Sequence, residues 1–396
     1  KHEPRAATVS VTSESAKVLA LDRESFQLLL GPLQDIIDEA SAAKGARRPA
    51  AIKNGRGTSK ERTTSKMLTS SEASATRIHM SDLRKIGALG FGGFGAVELW
   101  EHKQTGDSYA LKCLSKGFIV QSGMQESVIN EKNILLMTNS PFITRLYECY
   151  NSAQTLYFLM EPALGGELYS TYNRMSLYGS EKHARFYLAG TVCAFEHLHE
   201  RHIIYRDLKP ENLLLSETGR LKLADMGLAK FAVGKTFTTC GTPDYFAPEI
   251  IASTGHTIAV DWWTLGILAF ELMSGHAPFE SAYPMQTYAK VMAGIGKVSF
   301  PPKCQGNLEL LIKGLLRKDP SERLPMRLGG TKNIYSAKWY ANFSLDDFMS
   351  GAMKSPYMPV VKSKTDIANF SARPEDMPRR IEYKDDGTGW DKDFAT

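Results

Sequence analysis

The chain has 396 residues, 43% of them hydrophobic and 23% charged, with a formal net charge of +5. That is enough apolar material for one large core with appendages, and no apolar run approaches the roughly 20 residues a membrane-spanning helix needs. Five scattered cysteines (Cys113, Cys149, Cys193, Cys240 and Cys304), without a C-x-x-C pair, suit reduced thiols better than disulfides or zinc.

In residues 1–40, Thr8–Val11 and Lys17–Leu21 alternate like strands, and Glu24–Ala40 reads as a helix. A closed barrel needs roughly 120 residues. The segment is therefore expected to be the C-terminal remnant of a larger domain, in a chain truncated before Lys1. Residues 41–80 form a flexible basic linker, because Ser41–Ala75 is rich in Ser, Thr, Ala, Lys, Arg and Gly and nearly lacks large apolar side chains. Most of the positive balance lies here. No zinc-finger spacing or aromatic RNA-binding set accompanies it, so no nucleic-acid partner is expected.

From residue 81 the pattern changes. Leu83–Leu89 reads as a strand, followed by Gly90-Phe91-Gly92-Gly93-Phe94-Gly95-Ala96-Val97 and the strand-like Val97–Trp100. This G-x-G-x-x-G-x-V run predicts a hairpin whose backbone N–H groups, at Gly90, Gly92, Gly93, Phe94 and Gly95, approach phosphate oxygens, with Val97 beside them. Tyr109-Ala110-Leu111-Lys112 places a lysine on a third strand. Its helix partner is Glu131, in Ser127–Met137, where Val128, Ile129, Ile134, Leu135 and Leu136 suggest a buried face. Further on stands Tyr205-Arg206-Asp207-Leu208-Lys209-Pro210-Glu211-Asn212, and then Asp225-Met226-Gly227. Two carboxylates and an amide at this spacing suit in-line transfer of a magnesium-bound phosphoryl group. Asp207 would accept a hydroxyl proton, while Asn212 and Asp225 would hold metal ions. Val260–Met273 is apolar nearly all round, as a centrally buried helix should be; with Asp261 and Glu271 it is too short and too polar to cross a bilayer. Pro356–Phe394 shows little periodicity.

On these motifs, in this order, the chain resembles the eukaryotic protein kinases across Asp82–Phe343. The resemblance implies an α+β, two-lobed kinase fold over residues 81–343, with a small β-rich lobe and a large helical one. It also implies ATP and two Mg²⁺ ions as cofactors. Ala247-Pro248-Glu249 would close the activation segment, Arg323 would pair with Glu249, and Asp261 would brace the catalytic-loop backbone. Ala110, the gatekeeper Met160, the Glu161 carbonyl, the Ala163 amide and Glu167 would contact the nucleotide, and Lys209 would neutralise the transferring phosphoryl group. Pro162 is tolerable in the hinge because the intervening donor is not needed. Met226 departs from the family's phenylalanine, and would join Tyr205, Leu135 and Leu146 in an internal column with looser pre-organisation.

Within that family the chain is similar to the basophilic group activated by lipid and cyclic-nucleotide messengers. Thr238-Thr239-Cys240-Gly241-Thr242-Pro243 looks like its activation loop, with Thr238 phosphorylated and clamped by Arg206 and Lys230; Ser127 stands where the group often has a helping histidine. Glu167, Glu211 and Glu271 match the positions that read arginine, so the expected partners are proteins with Arg or Lys two to three residues before Ser or Thr. Residues 344–396 resemble the tail that wraps the small lobe, anchored by Gly389–Phe394.

Glu3-Pro4-Arg5-Ala6-Ala7-Thr8-Val9 looks like the end of a phosphate-binding cassette of a cyclic-nucleotide-binding domain, with Arg5 on the cyclic phosphate. Such a domain joined to a kinase is the plan of the cGMP-dependent protein kinases, particularly the protozoan type. cGMP is then the expected regulator, although Ala6 departs from the Thr or Ser common in cGMP-selective cassettes. A cAMP-dependent type of kinase and a catalytically weak scaffold remain as alternatives. Arg47-Arg48-Pro49-Ala50-Ala51-Ile52 reads either as a solvated basic linker or as a pseudosubstrate for the Glu167/Glu211/Glu271 groove. A monomer in the cytoplasm is expected, with membrane association through a missing N-terminus as a variant.

Overall fold

The computed structural model describes residues 77–396 except 94, 380 and 386. The expectations for Arg5, Phe94, residues 1–40 and the Arg47–Ile52 segment lie outside the described residues. Five strands form an antiparallel sheet in the order β1-β2-β3-β5-β4: β1 (Leu83–Gly92), β2 (Gly95–His102), β3 (Ser108–Ser115), β4 (Leu146–Asn151) and β5 (Thr155–Met160). Two register shifts in β1, between Lys85 and Gly87 and between Ala88 and Gly90, bend the hairpin where the glycine run begins. The glycine strand-ends thus extend the sheet beyond the expected Leu83–Leu89 and Val97–Trp100.

Against this sheet lie α1 (Lys116–Gln121) and α2 (Gln125–Met137). Helix α2 buries Val128, Glu131, Lys132, Ile134 and Leu135. Leu136 does not join them and is 56% exposed, which corrects the expected buried face. Its position falls about 140° round the helix from Glu131, away from the sheet.

The second lobe is mostly helical. It contains β6 (Gly166–Glu167), α3 (Leu168–Met175), α4 (Glu181–His199), β7 (Ile203–Ile204), β8 (Leu213–Leu215), β9 (Leu221–Leu223), β10 (Lys230–Phe231), α5 (Pro248–Ile251), α6 (Ala259–Ser274), α7 (Pro284–Ala293), α8 (Asn307–Leu315), α9 (Lys332–Tyr335) and α10 (Leu345–Ser350). Every residue of α6 except Glu271 and Ser274 is buried, because α6 packs against α4 and α8 at the centre of the lobe. It stops at Gly275, whose φ of 88° is the left-handed cap that glycine supplies without a Cβ penalty. No helix among the described residues is long and apolar enough to cross a membrane.

The final fifty residues return along the molecule to the small lobe. Ile367 and Phe370 pack on the cluster of Leu89, Leu99 and Leu164. Phe394 is fully buried with its ring 5.1 Å from that of Phe158, while Lys132 Nζ donates to the Asp393 carbonyl at 2.6 Å. Lys116 pairs with Asp391 at 2.5 Å. Two glycines let this segment approach closely: a Cβ on Gly117 would overlap the Ile381 carbonyl, and one on Gly166 would sit 2.7 Å from the Asn369 oxygen.

Candidate active site

Strand β3 carries Lys112 toward the inner face of the sheet, where Nζ lies 2.6 Å from Glu131 Oε1 on α2 and 3.1 Å from Asp225 Oδ1. Burial opposes the charge on Lys112, but the carboxylates of Asp225 and Glu131 hold its ammonium above the usual lysine range. Lys112 in turn holds the Asp225 carboxyl below the usual range, assisted by the Gly227 N–H at 3.1 Å. Asp225 has φ 57°, a conformation that non-glycine residues seldom adopt, and it turns the carboxylate into the cleft.

The catalytic-loop residues are fixed from behind. Asp261 on α6 accepts the backbone N–H of Tyr205 and of Arg206, each at 2.9 Å, and is itself bonded by His199 Nε2 at 2.7 Å. Asn212 Nδ2 donates to the Asp207 carbonyl at 2.7 Å and to Asp207 Oδ2 at 2.8 Å, and Lys209 Nζ lies 3.2 Å from the same carboxylate. Burial pushes the Asp207 carboxyl up, against the pull of Lys209 and Asn212. Because Asn212 gives its amide N–H to Asp207, its side-chain carbonyl oxygen stays available in the cleft that Asp225 also lines. This is a hard-oxygen pair suited to Mg²⁺, which takes few protein ligands and shares the rest with phosphate and water. Among the described residues no group of three or more His, Cys, Asp or Glu forms an all-protein metal cage.

These residues line one cleft of about 460 Å³, with Gly90, Gly92, Gly93, Gly95 and Val97 above, Lys112 and Glu131 behind, and Glu167, Asp207, Glu211, Asn212 and Asp225 below. A Cβ on Gly95 would overlap the Cys113 carbonyl, so the hairpin can cross β3 this closely only with glycine there. The other expected nucleotide contacts are not on this wall. Ala110 and Met160 face each other across β3 and β5, and Glu161 and Ala163 follow on the chain to the second lobe. The Glu161 side chain is held by Lys222 at 2.7 Å, and its N–H bonds the Arg145 carbonyl at 2.8 Å. Among the described residues, the Glu161 carbonyl and the Ala163 amide take part in no hydrogen bond.

Met226, Tyr205 and Leu135 are buried in the main core, against which Leu146 packs. The Tyr205 hydroxyl donates to the Ala224 carbonyl at 2.6 Å and so ties the catalytic loop to the strand end before Asp225. Glu249 and Arg323 form a buried two-pronged pair at 2.6 and 2.7 Å.

Two partners are not marked by any motif. The Tyr245 hydroxyl bonds Glu271, and His199 bonds Asp261. Glu271 is pushed up to about 6 by burial, with Glu211, Glu280 and Asp244 adding to the shift. Neither partner follows from spacing, since each reaches its carboxylate across the fold. Thr238 is exposed, whereas Thr236 two residues earlier is buried and accepts Lys230 Nζ at 2.9 Å. Burial pushes the Cys240 thiol up, which disfavours the nucleophilic thiolate.

Comparison with known proteins agrees with this geometry. The sequence description of the protein kinase domain matches residues 83–339. The chain is 38% identical over 397 residues to cGMP-dependent protein kinase, isozyme 1, of Drosophila melanogaster, covering 99% of this chain and 50% of that protein. It is 36% identical over 402 residues to cGMP-dependent protein kinase egl-4 of Caenorhabditis elegans (99% and 49%), and 41% identical over 316 residues to human cGMP-dependent protein kinase 2 (79% and 41%). The chain spans about half or less of the length of these curated relatives.

Proposed function

The chain belongs to the protein kinase family, and from that premise we propose that it transfers the γ-phosphate of ATP to Ser or Thr in basic protein segments, under cGMP control in the longer protein. The observation that carries the reading is the convergence of Lys112, Glu131, Asp207, Asn212 and Asp225 on one cleft beneath the glycine hairpin.

Lys112, positioned by Glu131, binds the α- and β-phosphates, while the backbone of Gly90–Gly95 covers them. The Glu161 carbonyl and Ala163 amide, both without other hydrogen-bond partners among the described residues, suit an adenine edge; Ala110, Val97 and Met160 supply its apolar surround. Bound at Asn212 and Asp225, Mg²⁺ would neutralise charge that develops on the phosphates. Asp207 Oδ2 is occupied by Asn212, so Oδ1 is the oxygen that takes the proton of the acceptor hydroxyl. Lys209 then stabilises the transferring group, and ADP and a phosphoester leave.

Glu211 and Glu271 act on the same peptide side of the cleft, where the Glu211 carboxylate adds to the burial that raises the proton affinity of Glu271. An arginine fork would relieve that repulsion, which supports a basic substrate. Residues 1–40 fit the end of a cyclic-nucleotide-binding domain, and the relatives' names support cGMP as the regulator.

Peptide phosphorylation tests the reading. An Arg-Arg-x-Ser peptide should be labelled from ATP with Mg²⁺, and Asp207→Asn should lower kcat by about 10²–10⁴-fold while the protein still melts cooperatively. Undiminished turnover in that variant would remove Asp207 from the chemistry. Activation of the longer protein by cGMP, compared with cAMP, tests the regulator.

A further inference from the structure

Around the segment that carries the exposed Thr238, the buried His256 and the partly buried Arg206 and Lys230 form a basic cluster. Thr236 and His256 form an isolated antiparallel bridge, each N–H reaching the other's carbonyl at 2.9 Å. Residues opposed in such a pair send their side chains to the same side. Both are buried, at 4% and 3% exposure, and Lys230 Nζ meets the Thr236 hydroxyl on that side. Phe237 points the other way, since a Cβ on Gly255 would lie 2.7 Å from its ring. Continued in extended form, the segment would return Thr238 to the side of Thr236. Cys240, two residues further, still senses Arg206 and Lys230.

His256 Nε2 and Arg206 Nη1 are both buried and have no hydrogen-bond partner among the described residues. Arg206 spends its Nε on the Leu228 carbonyl. Burial, with smaller contributions from Arg206 and Lys230, holds the pKa of the imidazole below the usual range, while Glu249 and Asp261 pull the other way. Neither carboxylate is free to neutralise the cluster. Glu249 is committed to Arg323 by two bonds, and Asp261 to the backbone of Tyr205 and Arg206 and to His199. The unpartnered nitrogens of His256 and Arg206, together with the Lys230 ammonium, are donors suited to a phosphate dianion.

We propose that His256 is the third basic residue receiving a phosphate on Thr238, so that the clamp of Arg206 and Lys230 is completed from the segment after the one-turn helix α5 and not from α2, where Ser127 stands. This rests on the reading of Thr238 as a phosphorylation site and adds a positioning residue to it. The neutral ring donates Nε2–H to a phosphate oxygen, Arg206 offers Nη1, and Lys230 turns from the Thr236 hydroxyl to the phosphate. The phosphoryl group comes from ATP through a protein kinase, leaving ADP, and the Thr238 hydroxyl proton goes to that kinase's catalytic base. Closure draws the exposed segment onto the cluster, and both orphaned nitrogens gain a partner.

The test installs phosphothreonine at residue 238 of the full chain and follows its removal by a nonspecific phosphatase. The wild type should lose phosphate at least roughly tenfold more slowly than a chain in which Lys230→Met opens the clamp. His256→Leu should lose that protection while its unphosphorylated form melts close to wild type, and His256→Gln, which keeps an N–H donor, should retain most of it. Protection unchanged in His256→Leu but lost in Lys230→Met overturns the role of His256 and leaves the Thr238 reading intact. No protection in the wild type overturns both. If His256→Leu melts abnormally, the Gln variant decides: loss of protection there, in a chain that melts normally, also overturns the proposal.

Discussion

At Glu271 a single hydroxyl decides how readily an arginine is held. Burial raises this carboxyl to about 6, and the Tyr245 hydroxyl is the main contact favouring its ionised form. Below that pH the group is neutral and attracts a guanidinium less. KM for an arginine-containing peptide should therefore climb as pH falls through about 6, while a peptide with alanine in place of arginine shows no such climb. Tyr245→Phe should move the climb to higher pH and raise KM at pH 7 by about twofold; an unmoved profile would take Glu271 out of recognition. Lys112→Met is expected to cut kcat by about a hundredfold or more, since it removes a preorganised charge from the phosphates. Lys112, Glu131, Asp207 and Asn212 were legible because their chemistry demands fixed residue types at fixed spacing. Tyr245 and His199 were not, because each acts on its partner across the fold and no local pattern marks them.

Between elements, the buried Glu249–Arg323 pair ties α5 to the turn after α8. Arg323 also donates to the Ala259 carbonyl at 2.7 Å, so it joins the start of α6 as well. Removing one partner strands a buried charge, which costs about 3–5 kcal/mol. Glu249→Ala should accordingly lower the urea midpoint of the large lobe, while Glu249→Ala with Arg323→Met should recover part of the loss. Equal destabilisation in single and double variants would show that packing, not charge, governs the site. Element existence was readable from periodicity, as in Val260–Met273, which became α6. Element faces were less so: Leu136 sits in an apolar run, yet the run is longer than the stripe that α2 can bury. An apolar run contains no statement of which side meets a neighbour.

Over the whole molecule, the C-terminal segment secures the small lobe by a buried ring, an ion pair and a lysine bond to a backbone carbonyl. Phe394→Ala removes the plug next to Phe158 and should lower stability by about 3–5 kcal/mol if the site cannot collapse. It should also reduce kcat, because Lys132, which holds Asp393, lies one residue from Glu131 on α2. Thermal melting and peptide kinetics on the same preparation check both. The wrapping itself was expected only from resemblance, because a stretch without periodicity gives no indication of where it docks. Gly117 and Gly166 show what such docking demands of the surface beneath. A methyl group at residue 117 would displace the Ile381 carbonyl without touching the tail's own sequence. Gly117→Ala thus offers a way to lift the strap while every one of its residues remains, and so to separate what the strap's presence contributes from what its attachment does.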